Sequence, residues 1–169
     1  MRLALLFFLA LALSAGAETR YYLVEGIMKL PEGRRVGVAV SIVKRTVDRE
    51  AGRIEEAVIS LRGQDPAREF VTVITPSAGK AVVSSPQGGV SGEATLSGPE
   101  WAWTGMSFTT RVEAGGMRVE GEDQFSADTI TARKKVFDAN GKPQIVIEES
   151  GKSISEAVYQ VLRSRLLAK

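Results

Sequence analysis

Short segments rich in β-branched and aromatic residues follow one another from Tyr21 to Glu149, and turn-forming residues separate them. Runs of this composition, bounded by Gly, Pro, Asn and Asp, predict β-strands. Connections of about two to five residues join antiparallel neighbours, because parallel strands need longer crossovers. The pattern therefore predicts an all-β fold, an antiparallel meander closed into a barrel or half-barrel of about 8–10 strands. The predicted strands are residues 21–29, 35–47, 53–61, 69–75, 80–84, 90–97, 101–112, 116–125, 130–138 and 143–149.

One helix is predicted at the C-terminal end, over about residues 153–165. Ser153 and Glu156 have the spacing of a capping box. A helix of this kind packs on the barrel or lies on a membrane surface, and we expect it to pack on the barrel. The apolar residues that recur on one face are Ile154, Ala157, Val158, Val161 and Leu162.

The first seventeen residues have the features of a cleavable export signal. Arg2 supplies the positive start, Leu3–Leu13 is an apolar run, and Ala15-Gly16-Ala17 fits the small-residue cleavage site. The run is too short for a membrane span, which needs roughly 20 residues. We therefore expect cleavage after Ala17, one barrel domain over 18–169, no stable membrane insertion after cleavage, and a periplasmic or secreted location.

Missing residue types narrow the possible chemistry. The chain has no Cys and no His, which excludes disulfides, thiolate nucleophiles, histidine triads and imidazole metal ligands. The 22 Lys and Arg and the 20 Asp and Glu are scattered along the sequence. They form no basic stripe of the kind that nucleic-acid binding requires. We expect no nucleic-acid partner, no cofactor and no metal site.

The segment 116–138 is predicted to be a hairpin in which Phe125 pairs with Ile130. On its outer face this register sets two opposite-charge pairs across the strands, Glu120 with Lys135 and Glu122 with Arg133. A shift by one residue would lose both pairs and mix apolar with charged groups on each face.

The same register turns the other face of the hairpin inward. Met117, Val119 and Phe125 then supply an apolar surface. Asp123 and Lys134 also point inward. They either anchor a ligand in a cavity or reach water near the rims.

Two tryptophans stand close together at Trp101-Ala102-Trp103. In the predicted strand 101–112, residues two apart point the same way, so both indoles lie on one face. They either line a ligand pocket or are core and cap residues.

Acidic pairs occur at Glu55-Glu56, Glu122-Asp123 and Glu148-Glu149. Glycoside hydrolysis needs two carboxylates across one substrate, but adjacent residues of a strand point to opposite faces. None of these pairs acts as a unit, so no catalytic residue is assigned.

Asp138-Ala139-Asn140-Gly141 has the start of a calcium-loop pattern. The later acidic ligand of such a loop is missing, and Asn-Gly favours a tight hairpin turn. We interpret the segment as a turn.

The strand order, the Trp101-Ala102-Trp103 segment, the long hairpin from Gly116 to Asp138 and the closing helix resemble a lipocalin-like (calycin) barrel. The stretch from Ser97 to Glu149 resembles bacterial exported proteins of unknown function with that fold. Glu25-Gly26-Ile27 stands where lipocalins have Gly-x-Trp, so no binding residue of that family is carried over.

Three kinds of function are compatible with an exported barrel of this size. The first is non-catalytic binding of a small apolar or amphipathic ligand, because a small closed barrel holds one such molecule. The second is a protein-interaction or envelope-maintenance module with a filled barrel, and the third is a hydrolase or isomerase that uses carboxylates. For the first, the candidate ligand-binding residues are Trp101, Trp103, Met117, Val119, Asp123, Phe125 and Lys134.

Overall fold

In the part of the chain that the structure describes, ten antiparallel strands close into a barrel and one helix packs against its outer surface. The computed structural model describes residues 16–62 and 66–168. Closure confirms the predicted all-β barrel and excludes the half-barrel. The strands are β1 (Glu18–Lys29), β2 (Arg35–Asp48), β3 (Arg53–Arg62), β4 (Arg68–Ser77), β5 (Lys80–Ser85), β6 (Val90–Ser97), β7 (Gly105–Val112), β8 (Met117–Phe125), β9 (Thr129–Phe137) and β10 (Pro143–Ser153).

Each strand pairs with the next one in the chain, and β1 closes the barrel on β10. The closing register runs from Tyr22 opposite Ser153 to Lys29 opposite Val146. In a meander, alternate connections lie at the same end of the barrel. We call the end with the β2–β3, β4–β5, β6–β7 and β8–β9 connections the tryptophan end, because residues 98–104 of the β6–β7 connection carry Trp101 and Trp103.

Inward side chains fill the half of the barrel nearest the tryptophan end. Tyr22, Ile54 and Ile74 are completely buried there, and full burial of such a side chain stabilises the fold by about 1.5–3 kcal/mol. The apolar cluster consists of Tyr22, Val24, Val43, Ile54, Ile74, Ala81, Val83, Ala94, Leu96, Met106, Phe125 and Ile130. Towards the opposite end, inward residues such as Phe108, Val119 and Val136 are only half-buried. The interior is therefore most densely filled next to the tryptophan end.

The β8–β9 hairpin has the predicted register. Phe125 lies opposite Ile130, and both are buried. The charged residues of the outer face are paired as expected, Glu120 with Lys135 and Glu122 with Arg133. The alternation of apolar and charged residues thus determines which face of this hairpin is buried.

The helix α1 (Glu156–Leu167) begins later than predicted, because Ser155 and not Ser153 is its N-cap. The Ser155 hydroxyl accepts a hydrogen bond from the Val158 amide at 3.3 Å. The predicted docking face is also wrong in part, since Val158 and Val161 are 46% and 52% exposed.

Tyr159 is the residue that anchors α1. It is 1% exposed and packs on Ile42 and Ile59, the outward residues of β2 and β3. Tyr21 contacts the Tyr159 ring with centroids 4.9 Å apart. Arg163 adds an ion pair of 2.8 Å to Glu69 on β4. The helix therefore packs on the barrel, as expected, through a face that is centred on Tyr159 and shares Leu162 with the predicted one.

Strand β7 begins at Gly105, so the prediction that Trp101 and Trp103 belong to a strand is wrong. Gly98 has φ +100° and Trp101 has φ +61°, values that a strand does not allow. The two tryptophans lie in the connection that crosses the tryptophan end.

The connection between β9 and β10 is the predicted turn. Asp138 accepts hydrogen bonds from the amides of Asn140 and Lys142, both at 2.9 Å. Its carboxylate thus organises the backbone of an Asx turn. Within residues 16–62 and 66–168 no acidic cluster has the arrangement of a metal site.

The proposed signal segment falls mainly on residues outside the described range, which begins at Gly16. The first strand starts at Glu18, the residue that follows the expected cleavage position. None of the described helices is long and apolar enough to cross a bilayer.

Candidate functional site

A cavity of about 240 Å³ opens at the tryptophan end of the barrel. Its apolar wall is aromatic and its polar wall is rich in arginine. We call this cavity the mouth pocket. The residues that define it are Tyr22, Trp101, Trp103 and Phe125 on the apolar side and Arg20, Arg45 and Arg49 on the polar side.

The β6–β7 connection places the two indoles over the barrel end. The Trp101 and Trp103 rings are in contact, with centroids 5.1 Å apart. Trp103 also packs on the buried apolar cluster. The Thr104 amide donates to the Ser97 carbonyl at 2.9 Å, and the Phe125 amide donates to the Thr104 carbonyl at 2.7 Å. These bonds fasten the connection to β6 and β8.

Trp101 is held in the left-handed region at φ +61°. This conformation is unfavourable for a bulky residue, and it costs about 1–3 kcal/mol. Such strain persists only where the surrounding structure imposes it, and it is common at ligand-binding positions.

Arg45 forms the floor of the mouth pocket. It points into the barrel from β2 and is 5% exposed. Its guanidinium pairs with the Glu56 carboxylate of β3 and lies over the Phe125 ring, 3.8 Å from the centroid. Because β2 and β8 are not neighbours, Arg45 and Phe125 meet across the interior.

Two further arginines stand at the rim. Arg20 is bound by Glu18 of the same strand, with the Arg20 Nε to Glu18 Oε1 distance 2.7 Å. Arg49, in the β2–β3 connection, is exposed and makes no ion pair within the described part of the chain. The pocket wall therefore holds three guanidinium groups and one carboxylate, Glu18.

A network of charged groups lies deeper in the barrel. Asp123 points inward from β8 and is 6% exposed. Lys134 points inward from β9 and donates to Glu149 of β10 at 2.6 Å. The inward positions predicted for Asp123 and Lys134 are thus confirmed, although Lys134 is already engaged with Glu149.

Burial raises the pKa of Asp123 to about 7. Lys134 and Arg45 oppose this change in the pKa, whereas Glu56 and Glu149 reinforce it. Burial alone would lower the pKa of Lys134, but the neighbouring Asp123 and Glu149 carboxylates outweigh it and raise the pKa. Asp123 therefore changes charge near neutral pH.

A second, larger concavity of about 720 Å³ lies on the outer face of β4 to β9. Hydroxyl and charged side chains line it, including Thr95, Ser107, Glu122 and Arg133. Its most exposed apolar side chain is Val82. The composition is that of an ordinary polar sheet surface.

The predicted ligand-binding residues do not form a single site. Trp101, Trp103 and Phe125 line the mouth pocket together. Asp123 and Lys134 belong to the deeper network. The remaining two lie towards the opposite end, where Met117 is 41% exposed and Val119 is half-buried.

The three arginines of the mouth pocket were not predicted from the sequence as site residues. Arg45 alternates with the inward residues Val43 and Val47, and this interruption of an apolar face was a usable signal. Arg20 and Arg49 gave no comparable signal, because they share a pocket with Trp101 only when β1 closes on β10.

Comparisons with known proteins support the fold. No family model matches the chain, and no curated protein matches it. A protein of unknown function from the DUF3598 family of Nostoc punctiforme is similar in structure, with a TM-score of 0.58 and 9% identity over 80% of this chain and 47% of that one. The chain thus spans about half the length of that protein.

An S-type phycobiliprotein lyase from Guillardia theta is also similar, with a TM-score of 0.52 and 11% identity over 85% of this chain and 88% of that one. Both neighbours support the antiparallel barrel fold. At these identities the likeness concerns the fold, since one fold hosts many functions.

Proposed function

We propose that the protein is a non-catalytic barrel that binds a small amphipathic molecule in the mouth pocket. The apolar part of the ligand packs on Trp101 and Trp103, and an anionic group faces the arginines. The observation that carries this proposal is the convergence of paired indoles and three guanidinium groups on one cavity of about 240 Å³.

The chemistry of the wall favours an anion. Guanidinium groups bind carboxylates and phosphates through paired N–H donors. Arg20 is compensated by Glu18 and Arg45 by Glu56, whereas Arg49 has no ion-pair partner within the described ranges. A ligand with one negative group would balance this remaining charge.

The size of the pocket limits the ligand. Sites for drug-sized molecules have volumes of about 300–1,000 Å³, so the mouth pocket accommodates a compact molecule or one end of a longer one. The strained Trp101 supports a binding role for this connection, because residues held in such conformations cluster at sites that contact ligands.

A protein-interaction role is the second candidate, because one outer face of the barrel is apolar. Val36, Val38 and Val40 on β2 are 40–47% exposed, and Leu23 and Ile27 on β1 are each 36% exposed. Helix α1 covers Ile42 of the same outward row but not these residues. Exposed apolar surface of this kind is common at interfaces.

Catalysis by carboxylates has a weaker basis. The inward Glu56 and Glu149 are engaged by Arg45 and Lys134, so among these three interior carboxylates only Asp123 forms no ion pair within the described ranges.

We further propose that the chain is exported and that its first seventeen residues are removed. The positive Arg2, the apolar run and the small residues before Glu18 support this proposal.

Tryptophan fluorescence tests the binding function. Titration with fatty acids, isoprenoids and small aromatic anions should give a saturable change in the wild type. Trp101→Ala and Trp103→Ala should weaken it, while Val82→Ala in the outer concavity should not. If no compound changes the fluorescence of the folded wild type, the ligand-binding proposal fails and the protein-interaction role becomes the better-supported function.

A further inference from the structure

The interior network carries one more negative than positive group. Glu56, Asp123 and Glu149 are its carboxylates, and Arg45 and Lys134 are its cations. They come from five different strands, β2, β3, β8, β9 and β10. A buried surplus charge is expensive unless it is neutralised. A proton on one carboxylate removes the surplus.

Asp123 is the carboxylate without a partner. Arg45 binds Glu56, and Lys134 binds Glu149. The Asp123 Oδ1 atom is buried and has no hydrogen-bond partner within the described ranges. An ionised oxygen left without a donor is less stable than a protonated one. The extra proton of the network therefore belongs on Asp123.

Asp123 is close to the mouth pocket through Phe125. The two residues point inward from the same strand, and Arg45 lies on the Phe125 ring. Arg45 both faces the pocket and interacts electrostatically with Asp123. When Asp123 is ionised, the charge of Arg45 is shared between Glu56 and Asp123. An anion in the pocket then meets a less positive floor.

We propose that Asp123 makes ligand binding proton-linked, so that the mouth pocket holds an anionic ligand when Asp123 is protonated and releases it when Asp123 ionises. This inference rests on the proposed binding function. Linkage requires the reciprocal effect as well: a bound anion favours the protonated form of Asp123 by the same factor.

The sign of the effect follows from the charges. Burial holds the pKa of Asp123 at about 7 in the folded protein. Affinity for an anion should be highest below this value, fall as the pH rises through it and level off once Asp123 is ionised in the bound state as well.

The test uses two probes with the same rings. 8-Anilinonaphthalene-1-sulfonate keeps its negative charge across the range from about pH 5.5 to about pH 8.5, and N-phenyl-1-naphthylamine has no sulfonate. The wild type should bind the sulfonate about fivefold or more tightly at the lower pH. The uncharged amine should show a much smaller change. In Asp123→Asn the sulfonate affinity should be independent of pH and close to the low-pH value of the wild type.

The outcomes separate this inference from the binding function. If the sulfonate binds the wild type with no pH dependence, or with the same dependence in Asp123→Asn, the proton linkage is wrong and the binding function stands. If only the uncharged amine binds, the linkage is likewise wrong. If neither probe binds at any pH, the binding function itself fails.

A direct titration covers the case in which Asp123→Asn does not fold. The side-chain carboxyl carbon of Asp123, followed by NMR in the wild type, should titrate near neutral pH. Its midpoint should move to higher pH when the sulfonate is bound. A midpoint near the ordinary value of about 4 would overturn the proposal.

Discussion

The guanidinium of Arg45 lies 3.8 Å from the centroid of the Phe125 ring and pairs with Glu56. This contact joins β2, β3 and β8 across the barrel and closes the floor of the mouth pocket. A guanidinium over an aromatic face is stabilised by about 0.5–2 kcal/mol. Arg45 thus has a structural role in the barrel as well as a proposed role towards the ligand.

Replacing Arg45 alone should therefore destabilise the protein strongly. Arg45→Met leaves the largely buried Glu56 carboxylate without its cation, which costs about 3–5 kcal/mol. The double variant Arg45→Met with Glu56→Gln removes both charges and should recover most of this loss. Urea unfolding measures the free energy of unfolding of the single and the double variant. As a control, Arg53→Met removes an exposed arginine 3.8 Å from Glu55 and should cost no more than about 1 kcal/mol.

A double variant as unstable as Arg45→Met would contradict this account of the ion pair. It would mean that the packing of the Arg45 stem on Phe125, and not the unpaired Glu56 carboxylate, determines the loss.

The helix should depend on Tyr159 and tolerate changes at Val161. Tyr159→Ala removes a side chain that is 1% exposed, and a loss of about 3–5 kcal/mol is expected. Val161→Ala changes a side chain that is 52% exposed and should stay within about 0.5 kcal/mol. Thermal or denaturant unfolding compares them. Equal losses would show that α1 docks through the face first predicted from the sequence.

Asp123 should lower the stability of the protein as the pH rises. The folded protein holds the Asp123 proton up to about pH 7, whereas the ordinary pKa is 3.8. Between these values the folded state binds more protons than the unfolded state, so the free energy of unfolding falls with increasing pH. Asp123→Asn removes this effect. The free energy of unfolding of this variant should exceed that of the wild type by an amount that grows from pH 4 to pH 7, to at most roughly 4 kcal/mol, and then stays constant.

Asp138→Asn is a control of opposite sign. Hydrogen bonds from the Lys142 and Asn140 amides lower the pKa of Asp138, so this carboxylate stabilises the fold above its ordinary pKa and loses that contribution in acid. The free energy of unfolding of the wild type should therefore increase relative to that of Asp138→Asn as the pH rises from acid.

The prediction for Asp123 has a clear contrary result. A pH-independent difference in stability between Asp123→Asn and the wild type would contradict the burial of an ionisable Asp123.

Export predicts the N-terminus of the mature chain. Protein recovered from an exporting host should begin at Glu18, because Ala15-Gly16-Ala17 has the small residues that signal peptidases select. N-terminal sequencing or intact mass decides the question. Material that retains Leu3–Leu13 after export would contradict the prediction.

The ten strands were predictable because turn residues separate them at short intervals. The register of β8 and β9 was predictable for a different reason: only one alignment pairs Glu122 with Arg133 and keeps Phe125 on the apolar face. From this alignment the inward position of Asp123 followed without any knowledge of the fold.

The mouth pocket was only partly predictable. Trp101 and Trp103 both line the mouth pocket, but the predicted arrangement was wrong, since they meet in a connection and not on a strand face. Residues such as Arg49 join the pocket only when the barrel closes. No local sequence pattern therefore indicates that they line it. Tyr159 was missed because the helical apolar pattern favoured Val158, although the larger aromatic ring buries more surface.

The most direct test of the proposed function is a ¹H–¹⁵N NMR titration that follows the tryptophan indole N–H signals. The chain has two tryptophans, so two such signals report on the mouth pocket. Titration with 8-anilinonaphthalene-1-sulfonate at acid pH should shift both signals along saturating curves with one dissociation constant, together with the amides of residues 98–104. Saturable binding that leaves both indole signals in place and shifts residues elsewhere on the barrel would contradict binding in the mouth pocket.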